Sequence, residues 1–205
     1  MGMASTTTKL WTVAEVLALP EDGRRYELID GVLLVNGVEV PGGDLAAFSD
    51  AVTPAPSWRH GDSVQRLFLR LHACLTSARV GDVRLAPADI VLGEAGVLQP
   101  DIFVVPLVSG RRPLSWEEAG RLLLAVEVVS PGSARDDRVR KRRIYQQAGV
   151  PEYWIVDPDA RLVERWRPED ERPEILDETL AWQPDAGHAP LVVDVVAYFA
   201  EVWGE

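Results

Sequence analysis

A single carboxylate interrupts an otherwise apolar run, and this feature constrains the fold more than any other. Residues 122–129 read LLLAVEVV, in which Glu127 is the one polar residue. A run of this length is typical of a strand that is buried on both faces of a sheet. A carboxylate inside such a strand costs several kcal/mol unless a cation or several hydrogen-bond donors hold it. The run therefore predicts either an arginine partner, which would make Glu127 structural, or a metal ion, which would make it functional.

A second carboxylate, Asp101, opens the strand-like segment that precedes this run. Gln-Pro-Asp occurs at 99–101, where Ile-Phe-Val-Val follows, and at 183–185, where Ala-Gly-His follows. Only the first can begin a strand, because strand-forming residues follow it. Proline is tolerated at a strand start, where it removes a donor that the sheet does not need. Asp101 is then either a turn residue that caps the strand or a site residue at the end of the sheet. Because the two strands are expected to be neighbours, we expect the carboxylates of Asp101 and Glu127 to lie within about 6 Å of each other. Two carboxylates at this distance repel each other, so we expect them to share Mg²⁺ or Mn²⁺.

The segment after Glu127 supplies a third candidate, Lys141. The chain has two lysines against nineteen arginines, which favours a position that needs an amine rather than a guanidinium. Residues 135–148 have the pattern of a helix, along which Asp137, Lys141 and Tyr145 recur at four-residue spacing. Because helical side chains point toward the helix N-terminus, the amine of Lys141 can reach the end of the preceding strand. The alternative is a solvated ion pair between Asp137 and Lys141.

The charge of the chain bears on whether it binds nucleic acid. A formal net charge of −11 and a pI near 4.8 argue against tight nonspecific binding to DNA. The basic residues are unevenly distributed, however, and residues 135–143 contain six of them against two acids. Singly these are typical of a solvated helix face, but together they suit contacts with phosphates. We therefore expect Arg138 and Arg142 to face water or substrate.

Two further residues are weaker candidates for the site. Glu27 lies in the strand-like segment YELIDG and is otherwise an exposed strand residue. His60 lies at the start of a predicted helix over 57–78 and is otherwise part of its cap. The three histidines do not have the spacing of a set of metal ligands, so no His/Cys metal cluster is predicted.

The remaining composition bears on the compartment. One cysteine, Cys74, excludes an intramolecular disulfide and fits a reducing environment. No apolar run approaches the roughly 18 residues of a membrane span, and the N-terminus lacks a signal-peptide pattern. We expect a cytoplasmic protein that is not associated with a membrane.

Helix and strand patterns alternate along the chain and predict an α/β fold in which a mixed sheet is flanked by helices. We expect a single domain over 1–205, with an inserted loop at 37–51 and a less regular acidic part after 168. The predicted helices are 12–19, which opens with a capping box at Thr12 and Glu15, then 57–78, 115–120, 135–148 and 192–203. The predicted strands are a meander around 25–40, then 83–93, 97–105, 122–129, 151–158 and 161–168.

Several of these segments together resemble the Uma-type restriction-endonuclease family of the PD-(D/E)XK nuclease superfamily. They are TVAEVLALPEDGRRYELIDGVLLV, TPAPSWRH, LQPDIFVV and LLLAVEVVSPGSARDDRVRKRRIYQQAGVPEYWIVDP. The resemblance implies a restriction-endonuclease-like core and a metal site in which Asp101 matches the Pro-Asp aspartate and Glu127 the acid that follows. It departs from the superfamily at Val129, where a lysine two residues after the acid would stand. Lys141 matches the lysine that this family has on the next helix instead.

These observations predict a metal-dependent endonuclease that hydrolyses phosphodiester bonds in DNA. Asp101 and Glu127 would bind Mg²⁺ or Mn²⁺ with a backbone carbonyl near Val128, and Lys141 would act on the attacking water or on the charge of the transition state. DNA is the expected partner, and a homodimer is left open. The alternative is a catalytically silent nuclease-fold protein that binds or scaffolds. Val129 and the acidic net charge favour that alternative.

Overall fold

The computed structural model describes residues 9–46, 48, 57–94 and 96–205 of the chain. They divide into two units, each with its own hydrophobic core. Of the described residues, unit 1 comprises 9–46, 48, 89–94 and 96–99, and unit 2 comprises 57–88 and 100–205. Whether they constitute one domain over 1–205 stays a prediction.

The described residues form six α-helices and thirteen strands, together with a short 3₁₀ turn and a π-helical turn. The helices are α1 (Val13–Leu17), α2 (Trp58–Ala78), α3 (Trp116–Ala119), α4 (Ala134–Asp136), α5 (Arg142–Gln147) and α6 (Val195–Trp203). The 3₁₀ turn is Pro41–Gly43, and the π-helical turn, Asp137–Lys141, joins α4 to α5. The strands are β1 (Tyr26–Ile29), β2 (Val32–Val35), β3 (Val38–Glu39), β4 (Gly81–Leu85), β5 (Ile90–Leu92), β6 (Gly96–Leu98), β7 (Ile102–Pro106), β8 (Leu124–Val128), β9 (Tyr153–Asp157), β10 (Leu162–Trp166), β11 (Glu174–Leu176), β12 (Thr179–Trp182) and β13 (Leu191–Asp194).

Unit 1 is built on an antiparallel sheet of five strands in the order β3-β2-β1-β6-β5. The predicted meander is confirmed, and the turn between β1 and β2 explains it. Asp30 and Gly31 both have positive φ, at 51° and 80°, as a two-residue hairpin turn requires. The predicted capping box is also present, since Thr12 and Glu15 cap α1 reciprocally.

Unit 2 is built on a mixed sheet of six strands in the order β11-β10-β9-β8-β7-β4. All its neighbouring strands are antiparallel except β8 and β9. A parallel pair needs a crossover, and α4, the π turn and α5 supply it. The predicted mixed sheet flanked by helices is confirmed. Its core contains Leu67, Leu71 and Leu75 of α2, Ile102 and Val104 of β7, Leu124, Val126 and Val128 of β8, Trp154 of β9 and Tyr198 and Phe199 of α6.

The strands predicted over 83–93 and 97–105 are four strands in the structure. β4 and β7 pair with each other in unit 2, whereas β5 and β6 belong to the sheet of unit 1. Pro87 lies next to the crossing between β4 and β5, and Pro100 lies at the crossing between β6 and β7. Proline lacks the N–H that a sheet interior needs, so each crossing falls where a continuous strand is disfavoured.

The part after residue 168 is more regular than predicted, because it contains β11, β12, β13 and α6. The predicted helix over 192–203 begins only at Val195. Asp194 ends β13 and caps α6 by accepting a hydrogen bond from the N–H of Ala197 at 2.8 Å. Within the predicted insertion at 37–51, the described residues form β3 and the 3₁₀ turn, while residues 47 and 49–51 lie outside the described part.

Within the described residues, no helix combines the length and apolar character that a membrane span requires.

Candidate active site

Asp101 directly precedes β7, and Glu127 lies in the neighbouring antiparallel strand β8, at the same end of the unit 2 sheet. Ile102 is paired with Val126, and one further step of the same register places Asp101 opposite Glu127. The N–H of Val128 donates to Asp101 Oδ2 at 2.8 Å. Directly opposed residues have Cβ atoms about 4.5–5.5 Å apart and side chains on the same face. The sheet thus presents both carboxylates on the face opposite Ile102 and Val126, which point into the core.

Glu127 is almost fully buried, with 2% of its surface exposed. The amine of Lys141 lies 3.0 Å from Glu127 Oε1, and the hydroxyl of Tyr145 donates to the same oxygen at 3.3 Å. The cation beside Glu127 is therefore a lysine rather than the arginine considered from the sequence. These two partners offset part of the cost of burying a carboxylate in an apolar strand.

The crossover helix carries Lys141 over the strand that holds Glu127. Asp137, Lys141 and Tyr145 lie on one side of this helix, as the four-residue spacing predicts, and all three are buried. The amine of Lys141 is also 3.2 Å from Asp137 Oδ1. The alternative of a solvated ion pair is wrong, because Asp137 is 1% exposed and Lys141 is 4% exposed.

The negative charge of this cluster affects the pKa of a neighbouring residue, Tyr153. Burial raises the pKa of Tyr153 well above its ordinary value, and the negative charges of Asp137, Glu127 and Asp101 raise it further. These three carboxylates face one ammonium, that of Lys141, so the four side chains carry a formal charge of −2 when ionised. A negative potential of this size in a buried place favours binding of a cation.

His60 contacts Asp101 from the first turn of α2. Ser57 caps this helix by accepting from the N–H of His60 at 3.2 Å, so the backbone of His60 is part of the cap, as one interpretation expected. Its ring extends beyond the cap, and Nε2 lies 3.3 Å from Asp101 Oδ2. The ring can thus help to orient the carboxylate of Asp101, at the same oxygen that accepts from the N–H of Val128.

A family model matches residues 13–195 of the chain, and the family is Uma2, described as "Putative restriction endonuclease". The chain belongs to the Uma2 family. The resemblance to the Uma-type family noted in the sequence is thereby confirmed.

The Uma2 chain is also similar to a crystal structure from Anabaena variabilis ATCC 29413, described as "a putative nuclease belonging to DUF820". The TM-score is 0.66 at 19% identity, over 94% of this chain and 99% of that chain. At this identity the likeness shows the fold. None of the curated proteins compared with the chain matches it.

Glu27 of the Uma2 chain lies in unit 1 and is 2% exposed, so the expectation of an exposed strand residue is wrong. Its Oε1 accepts from Arg25 Nη2 at 3.0 Å and from the N–H of Gln99 at 3.1 Å. The side chain of Gln99 in turn donates to Asp89 Oδ1 at 2.7 Å. Through these bonds Glu27 ties β1 to the residues that flank β5 and β6.

Arg138 and Arg142 are not both directed to water or substrate. Arg138 donates to Glu164 at 2.6 Å and to Asp157 at 2.8 Å, so the expectation is wrong for this residue. Arg142 is half-buried and its guanidinium lies 4.6 Å from the ring of Trp166. The acids on β9 and β10 lie at long sequence separation from the helix, which is why the local pattern could not reveal these contacts.

The donor chemistry of the pair Asp101 and Glu127 fits Mg²⁺ or Mn²⁺. In the part of the chain that the structure describes, no three or more His, Cys, Asp or Glu side chains are grouped so as to hold a metal ion. Mg²⁺ does not require such a cage, since it keeps several waters and binds proteins through one or two carboxylates. Two carboxylates at the end of a sheet are therefore a sufficient protein ligand set for this ion.

Proposed function

We propose that this Uma2 protein is a Mg²⁺- or Mn²⁺-dependent endonuclease that hydrolyses phosphodiester bonds in DNA. One observation carries the proposal. Two carboxylates, Asp101 and Glu127, lie opposite each other at the end of a sheet, and a buried lysine contacts the second of them. The family description, which names restriction endonucleases, agrees with this chemistry.

Asp101 and Glu127 would hold the metal ion, together with a backbone carbonyl near Val128. The N–H of Val128 and the ring of His60 both contact Asp101 Oδ2, so the orientation of this carboxylate is fixed before an ion binds. The chemistry that a bound divalent ion supplies is polarisation of the scissile phosphate and a lower pKa for a coordinated water.

Lys141 would provide the hydrogen-bond donor of the reaction. Its amine donates a hydrogen bond to Glu127 Oε1 and forms an ion pair with Asp137, whose Oδ1 is 3.2 Å away. This environment favours donation over removal of a proton. We therefore assign Lys141 to orienting the attacking water and to stabilising the negative charge that develops on the phosphate.

DNA would approach along the exposed side of the crossover helix. Arg135 and Arg143 are exposed there, unlike Arg138, which is engaged with acids of the sheet. Guanidinium groups at such positions suit phosphate contacts. With a net charge of −11, the protein should bind DNA weakly, and cleavage should fall steeply as the salt concentration rises.

The test is cleavage of supercoiled and single-stranded DNA by the purified protein, with Mg²⁺, with Mn²⁺ and with EDTA. We expect cleavage with either metal, none with EDTA, and none from Asp101→Ala with metal. The matched control is Asp62→Ala, on the same helix as His60 and outside the cluster, which should cleave like the wild type. Cleavage that persists in EDTA or in Asp101→Ala would refute the proposal.

A catalytically silent nuclease-fold protein that binds or scaffolds is the second candidate. The observation that favours it is that Lys141 and Tyr145 already provide Glu127 with polar partners. Val129 also stands where the superfamily has its lysine. This candidate predicts no cleavage and no change of melting temperature on addition of millimolar Mg²⁺ or Mn²⁺.

A further inference from the structure

We infer that Asp137 is a positioning residue that shares the ammonium of Lys141 and thereby keeps Glu127 available to the metal ion. This inference rests on the proposed function, because it concerns the same site. It adds Asp137 to the three residues already placed in the site, Asp101, Glu127 and Lys141.

The geometry places one ammonium between two buried carboxylates. Lys141 Nζ is 3.0 Å from Glu127 Oε1 and 3.2 Å from Asp137 Oδ1. The side chains of these three residues are between 2% and 4% exposed, so water does little to screen their interaction. The ammonium donates its hydrogen bond to Glu127, and Asp137 is a second ion-pair partner at nearly the same distance.

The backbone that carries Asp137 is held firmly in place. Asp137 and Lys141 are the first and last residues of the π turn, a distortion that is frequent at functional sites. The N–H of Asp137 donates to the carbonyl of Ser133 at 3.0 Å, and its own carbonyl accepts from the hydroxyl of Tyr153 at 3.1 Å. The backbone position from which the carboxylate of Asp137 reaches the amine is thus fixed.

The consequence concerns competition between two cations for one carboxylate. A metal ion and the ammonium of Lys141 both draw on the charge of Glu127. Without Asp137, the amine would move fully onto Glu127, and metal binding would then have to displace it in a place of low dielectric. With Asp137 present, the amine keeps a second partner and can yield part of its contact with Glu127.

The experiment measures the affinity of the apo-protein for Mn²⁺ by isothermal titration calorimetry, without DNA. Asp137→Asn should raise the Kd by about tenfold, which lies within the usual range of coupling between contacting residues. In a Lys141→Gln background the same change should alter the Kd by about twofold or less, because no ammonium is left to position. Asp137→Glu, which restores a carboxylate, should recover most of the affinity.

The matched control is Asp136→Asn. Asp136 forms an i,i+4 ion pair with Arg140 at 3.3 Å, and both side chains are about a quarter exposed. This variant removes the same charge from the neighbouring position and should leave the Kd unchanged. Melting temperatures of all variants verify folding, and Asp137→Ser replaces Asp137→Asn if the latter does not fold.

Three results would overturn the inference. An equal effect of Asp137→Asn in both backgrounds would mean that Asp137 acts on the ion through its charge and not through Lys141. An unchanged Kd would mean that Asp137 serves stability alone. Absence of Mn²⁺ binding by the wild type would refute the proposed function as well, and the first two results would leave that function standing.

Discussion

Replacing Asp101 with asparagine tests whether the two carboxylates are kept together for a metal ion. Asn keeps an oxygen that can accept from the N–H of Val128, whose bond to Asp101 is 2.8 Å long. It removes the charge that opposes Glu127. The substitution therefore removes the repulsion between the two carboxylates while it keeps the shape of the site.

The magnitude follows from the spacing of opposed strand residues. Two unit charges about 5 Å apart repel by about 3 kcal/mol at an effective dielectric constant of about 20. Replacing a charged acceptor by a neutral one forfeits about 1–2 kcal/mol through the contacts of Val128 and His60 with this side chain. The apo-protein of the Asp101→Asn variant should be more stable by about 1–2 kcal/mol, or about 2–8 °C in melting temperature for a chain of this size.

The assay is scanning fluorimetry with EDTA and with millimolar Mg²⁺ or Mn²⁺. At about 100 times its Kd the metal should stabilise the wild type by about 2.7 kcal/mol and should not stabilise Asp101→Asn to a comparable extent. The reasoning is refuted if the wild type shows no metal shift, or if Asp101→Asn melts lower than the wild type in EDTA. Glu127→Gln cannot replace this variant, because it also removes the acceptor of Lys141 and should destabilise the protein under either candidate function.

Three further predictions address other parts of unit 2. Lys141→Ala should abolish cleavage. It should also lower the free energy of unfolding by about 3–5 kcal/mol in a denaturant titration, because buried carboxylates are left without their cation. Cleavage at the wild-type rate would mean that Lys141 has no part in the mechanism. His60→Ala should reduce the cleavage rate tenfold or more, which is the usual effect of losing a residue that orients a metal ligand. The melting temperature should be nearly unchanged. The control is His72→Ala, on the exposed side of the same helix. Burial raises the pKa of Glu152, so its carboxyl group binds a proton more tightly in the folded protein than in the unfolded chain. The stabilisation that this proton provides is present at low pH and is lost as the pH rises through the folded-state pKa. Glu152→Gln should therefore raise the melting temperature at pH 7 and have no effect below about pH 4, and a lower melting temperature at pH 7 would contradict this assignment.

The sequence predicts the elements whose signals are local. The stripe of leucines in α2, the capping box at Thr12 and the positive-φ turn at Asp30 and Gly31 each depend on neighbouring residues, and all three are present. The placement of Asp101 and Glu127 on adjacent strands follows in the same way, from two short apolar runs with one acid each.

What the sequence could not predict depends on contacts between distant residues. The contact of His60 with Asp101 joins the start of a helix to the start of a strand. The local sequence pattern of neither segment predicts it. The burial of Asp137 is equally nonlocal, because a spacing of four residues to Lys141 fits a solvated pair as well as a buried one. The assignment of β5 and β6 to the sheet of unit 1 depends on which edge is available for pairing, and strand patterns alone do not encode that choice.

The parallel pairing of β8 and β9 ties assembly of the site to a late event in folding. The helix that carries Lys141 is the connection between these strands, and the N–H of Val129 closes the pair by donating to the carbonyl of Val156 at 2.9 Å. A parallel pair forms only after its long crossover loop has closed, which makes such pairings slow. The lysine can therefore meet Glu127 only after the crossover has folded back over β8. A partly folded form without this crossover would have no competent site, so any cleaving activity would be confined to molecules in which β8 and β9 are paired.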